Sequence, residues 1–151
     1  MMIQSRPLRS SVRARLRCAL LAVALLGGLG CDNRARELRA ELSDADLQRF
    51  IHGQQLSSPC WSCHDFYGNQ NKIGPYLGGL YGRRAGTARF PGYSDALRQS
   101  MVVWDDSTLA HFLRSPTTYV PGTTMVSPGV ASPQDLDALL FYMRLATAPH
   151  N

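Results

Sequence analysis

Apolar residues recur every three to four positions along several segments of the chain, a spacing typical of amphipathic helices. The first such segment in the body of the chain follows Ser43, a favourable N-cap residue. Asp44 and Asp46 come next, where a negative charge stabilises the positive end of a helix dipole. This pattern predicts a helix that runs to about Leu56, just before Pro59.

The middle of the chain predicts two shorter helices. One covers residues 95–100. The other covers residues 107–114 and is capped by Asp105 or Asp106. This second helix must end before Pro116, because the residue that precedes a proline disfavours helical geometry.

The last helix has the clearest start signal. Ser132-Pro133-Gln134-Asp135 offers an N-cap, a proline at the first helical position and an acid in the first turn, and the helix should run to about Ala146. Residues 68–92 are rich in glycine and show no strand alternation, so they are expected to form one long loop. The predicted fold class is therefore all-α, with about four helices and long loops; loops of this length usually serve a function.

The N-terminal segment has the pattern of an export signal. Residues 1–17 are arginine-rich and contain no acid, and residues 18–30 form an apolar run of thirteen residues. That run is too short for a membrane-spanning helix, which needs about 20 residues, and has the length of a signal-peptide core. Residues 1–30 are therefore predicted to be a signal peptide, and the mature protein to be periplasmic.

The end of this segment, Leu26-Gly27-Gly28-Leu29-Gly30-Cys31, resembles a bacterial lipoprotein cleavage box. The resemblance implies a lipid on Cys31 and hence a membrane anchor. Gly28 stands where the pattern has leucine, so ordinary cleavage or an uncleaved anchor remain alternatives. Residues 31–45 are charge-dense and are interpreted as a tether or an exposed leading helix, ahead of a domain over 46–151.

The net charge of +5 does not indicate a nucleic-acid binder. Five arginines lie in the first 17 residues, and the rest of the chain has 11 basic and 11 acidic side chains. A nucleic-acid footprint needs clustered basic residues on the folded domain, and only Arg83, Arg84 and Arg89 approach this. No nucleic-acid partner is expected.

Four cysteines are present, and two of them form a motif. Cys18 lies inside the signal and Cys31 at its end, which leaves Cys60 and Cys63, followed at once by His64. C-x-x-C-H is the attachment signature of c-type haem, in which two thiols bond one porphyrin and the histidine binds its iron. Covalent haem c is therefore the predicted cofactor.

Two other uses of a C-x-x-C pair fit this chain less well. A thioredoxin-like redox pair calls for a βαβ context, and no strand alternation surrounds the motif. A structural zinc site needs four ligands, and the sequence has no second C-x-x-C or H-x-x-x-H.

A sixth iron ligand has several candidates, which are Met101, Met125, Met143, His52, His111 and His150. Met125 is favoured because it follows Tyr119-Val-Pro-Gly-Thr-Thr, an irregular loop that can deliver a thioether to a metal. Among the other candidates, His52 and His111 lie on predicted helices, Met143 on an apolar helix face and His150 at the chain end. Met/His ligation also raises the reduction potential of a c-type haem.

These residues resemble mitochondrial-type class I cytochrome c over about residues 53–147. Cys60-Trp61-Ser62-Cys63-His64 matches the haem-binding motif. Gly74-Pro75-Tyr76-Leu77 and Gly79-Leu80-Tyr81-Gly82-Arg83 match the loop on the histidine side. Tyr119-Val120-Pro121-Gly122-Thr123-Thr124-Met125 is similar to the loop that carries the axial methionine.

The resemblance implies roles for individual residues. The Pro75 carbonyl would accept a hydrogen bond from His64, in a loop that also places Leu77 at the haem, and His64 and Met125 would hold the iron. The groups that the family places around the haem propionates correspond to Arg83, Tyr93, Trp104 and Thr123.

The chain also departs from the family. Leu97 replaces an asparagine beside a buried water, Phe112 a tyrosine near the methionine sulfur, and Ser127 a phenylalanine that shields the haem edge. Gly53 lies one residue closer to the haem motif than the family's helix-contact glycine. The lysine-rich docking face is missing, since Lys72 is the one lysine in the chain.

The function implied by the resemblance is electron transfer without catalysis, so the protein is not expected to be an enzyme. Its partners would be membrane-bound donor and acceptor complexes such as an oxidase, a reductase or a dehydrogenase. Two alternatives stay open: a haem sensor or weak peroxidase with a labile sixth ligand, and a subunit docked permanently in a larger complex.

Overall fold

The computed structural model describes residues 33–149. The predicted signal peptide, the lipid-attachment candidate Cys31 and the ligand candidate His150 lie outside this range. The described chain contains six α-helices and no β-strand, as the all-α prediction requires. They are α1 (Asn33–Ala40), α2 (Asp44–Leu56), α3 (Asp95–Gln99), α4 (Asp106–Arg114), α5 (Pro116–Tyr119) and α6 (Pro133–Ala146).

Helix α2 begins where the sequence predicts, because the capping chemistry is local. The Ser43 hydroxyl oxygen accepts a hydrogen bond from the Asp46 amide (3.3 Å). Helix α6 repeats the arrangement, with Ser132 accepting from the Asp135 amide at 3.2 Å. Such caps satisfy amides that the first helical turn leaves without partners.

Helix α4 begins at Asp106, with Asp105 as its cap. Asp105 accepts from the Thr108 amide (2.8 Å), and the Thr108 hydroxyl accepts from the Asp105 amide (2.9 Å), which completes a capping box. The helix ends at Arg114, as the proline at 116 predicts. Pro116 then opens helix α5, which the sequence pattern did not predict, while residues 120–125 that follow contain no helix and no strand. Proline is favourable there because its fixed φ suits a first turn.

The N-terminal stretch is helical over Asn33–Ala40, but it is not the exposed helix that the sequence predicts as one alternative, because one side of it is buried. Helix α1 has apolar residues three positions apart, Ala35 and Leu38, and both are buried. Leu38 belongs to the main apolar cluster, so this helix covers part of the core. A tether over 31–45 and a domain boundary at residue 46 stay predictions. No helix within residues 33–149 is long and apolar enough to span a bilayer.

Helices α2 and α6 cross closely at Gly53. A Cβ atom at Gly53 would lie 2.0 Å from the Ala138 carbonyl oxygen and 2.7 Å from Cβ of Tyr142. Gly53 is thus the helix-contact glycine of this chain, although it is one residue away from the family position. The rings of Phe50 and Tyr142, both fully buried, meet edge to face at 5.1 Å beside it.

The loop between α2 and α3 follows the prediction, since residues 68–92 contain no helix and no strand. A single antiparallel bridge joins Arg84 to Val103. The Ala85 amide donates to the Val102 carbonyl (2.8 Å), and the Trp104 amide donates to the Arg83 carbonyl (3.0 Å). These bonds fasten the long loop to the segment that enters α4.

Candidate functional site

The loops and helices of the domain enclose an apolar cavity of about 250 Å³. Cys60, Cys63 and His64 line it together with Met125. Large apolar side chains form much of the remaining lining, among them Phe66, Leu77, Leu80, Leu97, Trp104, Leu109, Phe112, Leu113 and Met143. Most of these also belong to the main apolar cluster, so the cavity occupies the centre of the core.

A short 3-10 helix, Ser58–Ser62, brings the two thiols to the cavity. Pro59 lies in its first turn, where the missing amide proton costs nothing. The amides of Cys63 (3.1 Å) and His64 (2.9 Å) both donate to the Cys60 carbonyl, which closes the turn. Burial raises the pKa of the Cys60 thiol, and the neighbouring Cys63 raises it further. Both thiols are free of disulfide bonds.

His64 is held in one tautomer. Its Nδ1 lies 2.7 Å from the Pro75 carbonyl oxygen, which can only accept, so Nδ1 carries the proton. Burial lowers the pKa of His64, and the Lys72 charge lowers it further, while the bond to Pro75 acts in the opposite direction. The neutral ring therefore presents an unprotonated Nε2, the state that a metal ligand requires.

Gly74 packs against the same imidazole. A Cβ atom there would lie 2.5 Å from Cε1 and 2.9 Å from Nδ1 of His64. The Gly74 amide also donates to the Cys63 carbonyl (2.8 Å), so the loop cannot move aside without losing that bond. We expect Gly74→Ala to tilt the imidazole and weaken its hydrogen bond to Pro75.

The expected result for Gly74→Ala is a shifted reduction potential with an intact covalent haem, because second-shell bonds tune the metal. Redox titration of the holoprotein measures this shift. Gly68→Ala is the control, since the atoms nearest to its new Cβ belong to the Asp65 side chain and not to the imidazole. Equal potentials for Gly74→Ala and the wild type would contradict a role for Gly74 in placing the imidazole.

Met125 reaches the cavity from the loop between α5 and α6. It is half-buried, and its amide donates to the Thr123 hydroxyl (3.3 Å). Met143, on α6, is buried and lines the same cavity, so the cavity has two thioethers in its lining. Sequence reasoning placed Met143 only in the core, because its helical spacing does not reveal which cavity the face borders.

The other ligand candidates in the described range lie away from the cavity lining. Met101 is exposed. The His111 ring stacks on Tyr119 with 5.6 Å between centroids. His52 Nε2 lies 3.0 Å from a carboxylate oxygen of Asp135.

Some of the residues expected to contact the haem propionates line the cavity, and one does not. Tyr93 and Trp104 line the cavity, as does Arg83, whose guanidinium donates to the carbonyls of Gly78 (2.9 Å) and Tyr76 (3.0 Å). Burial raises the pKa of the Tyr93 phenol, which keeps it a hydrogen-bond donor.

Thr123 is buried and is absent from the cavity lining among the described residues, whereas its neighbour Thr124 is part of it. Sequence reasoning missed Thr124 and Phe66. The sequence pattern does not show which of two adjacent threonines faces a cavity. Phe66 was missed because no periodic apolar pattern marks the residues that follow the haem motif.

The donor set and the cavity fit a covalently attached haem. Two free thiols flank an imidazole with an available Nε2, a thioether lines the same cavity, and apolar side chains supply most of the surface that a porphyrin face needs. The helical fold and this site define a c-type haem protein.

Comparisons with known proteins agree with this class. No protein-family model matches the chain. Cytochrome c2 of Blastochloris viridis is 35% identical over 108 residues, which cover 71% of this chain and 85% of the relative. Cytochrome c of Chlamydomonas reinhardtii is 40% identical over 111 residues, 72% of this chain and 96% of that protein. Among solved structures, cytochrome cH from Methylobacterium extorquens superposes with a TM-score of 0.58 at 38% identity, over 62% of this chain and 95% of that structure.

The chain belongs to the class I cytochrome c family. It is an electron-transfer haem protein with one covalent haem c, and it is not an enzyme.

Proposed function

We propose that this protein is a monohaem electron carrier whose iron is held by His64 and Met125. The observation that carries the proposal is the His64–Pro75 hydrogen bond of 2.7 Å, which fixes the tautomer and leaves Nε2 for the iron. Met125 supports it because a loop residue can approach a metal without breaking helical hydrogen bonds. The haem supplies a one-electron couple, and two protein ligands leave no site for a substrate.

The surroundings of the cavity suit this role. Apolar walls exclude water from the iron, which stabilises the less charged reduced state. Arg83, Tyr93 and Trp104 are proposed to receive the propionates, with Thr123 as a further candidate close to Met125.

The cavity has an apolar rim that faces solvent. Ile73 and Val126 belong to its lining and are 78% and 98% exposed. A partner could approach the haem edge there across a small, desolvated contact.

We propose that the partners are membrane-associated redox complexes outside the cytoplasm. We further propose that the protein is exported to the periplasm and anchored through a lipid on Cys31.

Met125→Ala tests the ligand assignment. The variant should lose the weak near-red absorption band of ferric methionine-ligated haem, and its reduction potential should fall. Absorption spectroscopy and redox titration measure both effects. Met101→Ala is the matched control, because Met101 is an exposed methionine that does not line the cavity. Met143→Leu tests the other thioether of the cavity. Loss of the near-red band in Met143→Leu, with the band retained in Met125→Ala, would assign the ligand to Met143.

A haem sensor or weak peroxidase is the second candidate, and two observations at the Met125 loop favour it. Few hydrogen bonds hold the segment around Met125, and Val126 beside it is almost fully exposed. Rapid binding of carbon monoxide to the reduced wild-type protein at neutral pH would select this function over that of a carrier.

A further inference from the structure

Lys72 is the one lysine in the chain, and its side chain has a partner inside the molecule. Its Nζ donates a hydrogen bond to the Trp61 carbonyl oxygen at 2.8 Å. Trp61 lies between the two haem-binding cysteines, in the 3-10 helix that brings both thiols to the cavity. A surface lysine ordinarily extends into water, because ordering its long side chain costs conformational entropy. This hydrogen bond therefore holds the ammonium group at a defined place beside the haem site.

The main chain that carries Lys72 is fastened to the same side of the cavity. The Lys72 amide donates to the Gly74 carbonyl (3.0 Å), and the Gly74 amide donates to the Cys63 carbonyl (2.8 Å). Gly74 packs on the His64 ring, since a Cβ there would lie 2.5 Å from Cε1. Pro75 follows directly and accepts the His64 hydrogen bond. Lys72 therefore belongs to the segment that orients the imidazole.

No ion pair within residues 33–149 involves Lys72. The nearest acid in the sequence is Asp65, and its carboxylate accepts from three backbone amides of the turn that follows it. The Lys72 charge is felt at the imidazole, because it lowers the pKa of His64. A positive charge that disfavours a proton on this ring also disfavours the more positive ferric state of an iron bound to the ring.

We infer that Lys72 raises the reduction potential of the haem by holding a positive charge on the His64 side of the iron. The charge destabilises the ferric state relative to the ferrous state. The inference deepens the proposed carrier function and rests on its assignment of His64 as an iron ligand. Because Lys72 is exposed, water and salt screen the charge, so its effect should decrease as ionic strength rises.

Redox titration of the holoprotein and its variants across a range of ionic strength tests the inference. Lys72→Met removes the charge and the donor at similar side-chain length. We expect its equilibrium constant for reduction by a fixed mediator couple to fall about two- to fivefold at low salt, and the difference to shrink at high salt. Lys72→Arg keeps a cation with N–H donors and should stay close to the wild type. Arg36→Gln is the charge-matched control, because Arg36 is exposed on α1, a helix that contributes no residue to the cavity lining.

Chemical modification makes the same change in protein that has already folded. Acetylation of the purified wild-type holoprotein neutralises the Lys72 amine, whereas guanidination with O-methylisourea keeps its charge. The acetylated protein should show the lower potential of Lys72→Met, and the guanidinated protein should keep the wild-type value. Lys72→Arg treated with the same acetylating reagent is the control, since this variant contains no lysine.

Three results would contradict these expectations in different ways. Equal potentials for Lys72→Met and Arg36→Gln would overturn the inference and leave the carrier function intact. A lower potential in Lys72→Met that acetylation does not reproduce, or that salt does not reduce, would also overturn it, because a displaced loop would then be the cause. A wild-type protein with covalent haem but a high-spin spectrum in both oxidation states would overturn the proposed ligand pair itself, whatever the effect of Lys72.

Discussion

The double variant Cys60→Ser/Cys63→Ser is expected to lose its native fold when its haem is lost. Both thiols line the central cavity, and without them no covalent bond retains the porphyrin there. A dry cavity of about 250 Å³ would cost at most about 6 kcal/mol, at roughly 24 cal/mol per Å³. That cost is comparable to the whole stability of a domain, which is about 5–15 kcal/mol.

Circular dichroism and denaturant titration of the purified variant measure this loss. Near-ultraviolet signals from Trp104 and the cooperative unfolding transition should both disappear, while some helical signal remains. Ser62→Ala serves as the control, because Ser62 lies in the same turn and its hydroxyl hydrogen-bonds within that turn, to the Pro59 carbonyl and the Cys63 sulfur. A haem-free double variant with an unfolding free energy within about 1 kcal/mol of the wild type would show that the core does not depend on the haem.

The helix starts could be predicted because their determinants are local in sequence. The Ser43, Asp105 and Ser132 caps each bond an amide three residues ahead, so the capping residue and the helix it starts occur together in the chain. The haem motif is local for the same reason, since one turn brings Cys60 and His64 to the cavity.

The features that were missed depend on contacts between distant segments. Leu38 is buried because other parts of the chain meet it, and a charge-dense segment gives little sign of that. Contacts between distant segments also determine which residues line the cavity near Met125. Whether Thr123 or Thr124 lines it, and whether Met143 borders it, depends on how α6 and the preceding loop pack together.

Gly53→Ala is expected to destabilise the protein by about 2 kcal/mol or more, although alanine is the better helix former. In an isolated helix the change would stabilise by about 1 kcal/mol. Here the new Cβ would lie 2.0 Å from the Ala138 carbonyl oxygen and 2.7 Å from Cβ of Tyr142. Neither backbone nor Cβ atoms can rotate away, so helices α2 and α6 must separate, and overpacking of this kind costs about 1–3 kcal/mol or more.

Denaturant unfolding of the holoprotein measures the change, with Gln55→Ala on the same helix as the control. Gln55 is exposed, so its replacement should alter the unfolding free energy by no more than about 0.5 kcal/mol. Helix propensity predicts that Gly53→Ala raises the unfolding free energy, whereas packing predicts that it lowers it. The sign of the measured change therefore decides between the two. A stabilised Gly53→Ala protein would mean that the helices do not cross at this glycine. A destabilised one with an unchanged haem spectrum would show that the α2–α6 contact supports the fold independently of the iron ligands.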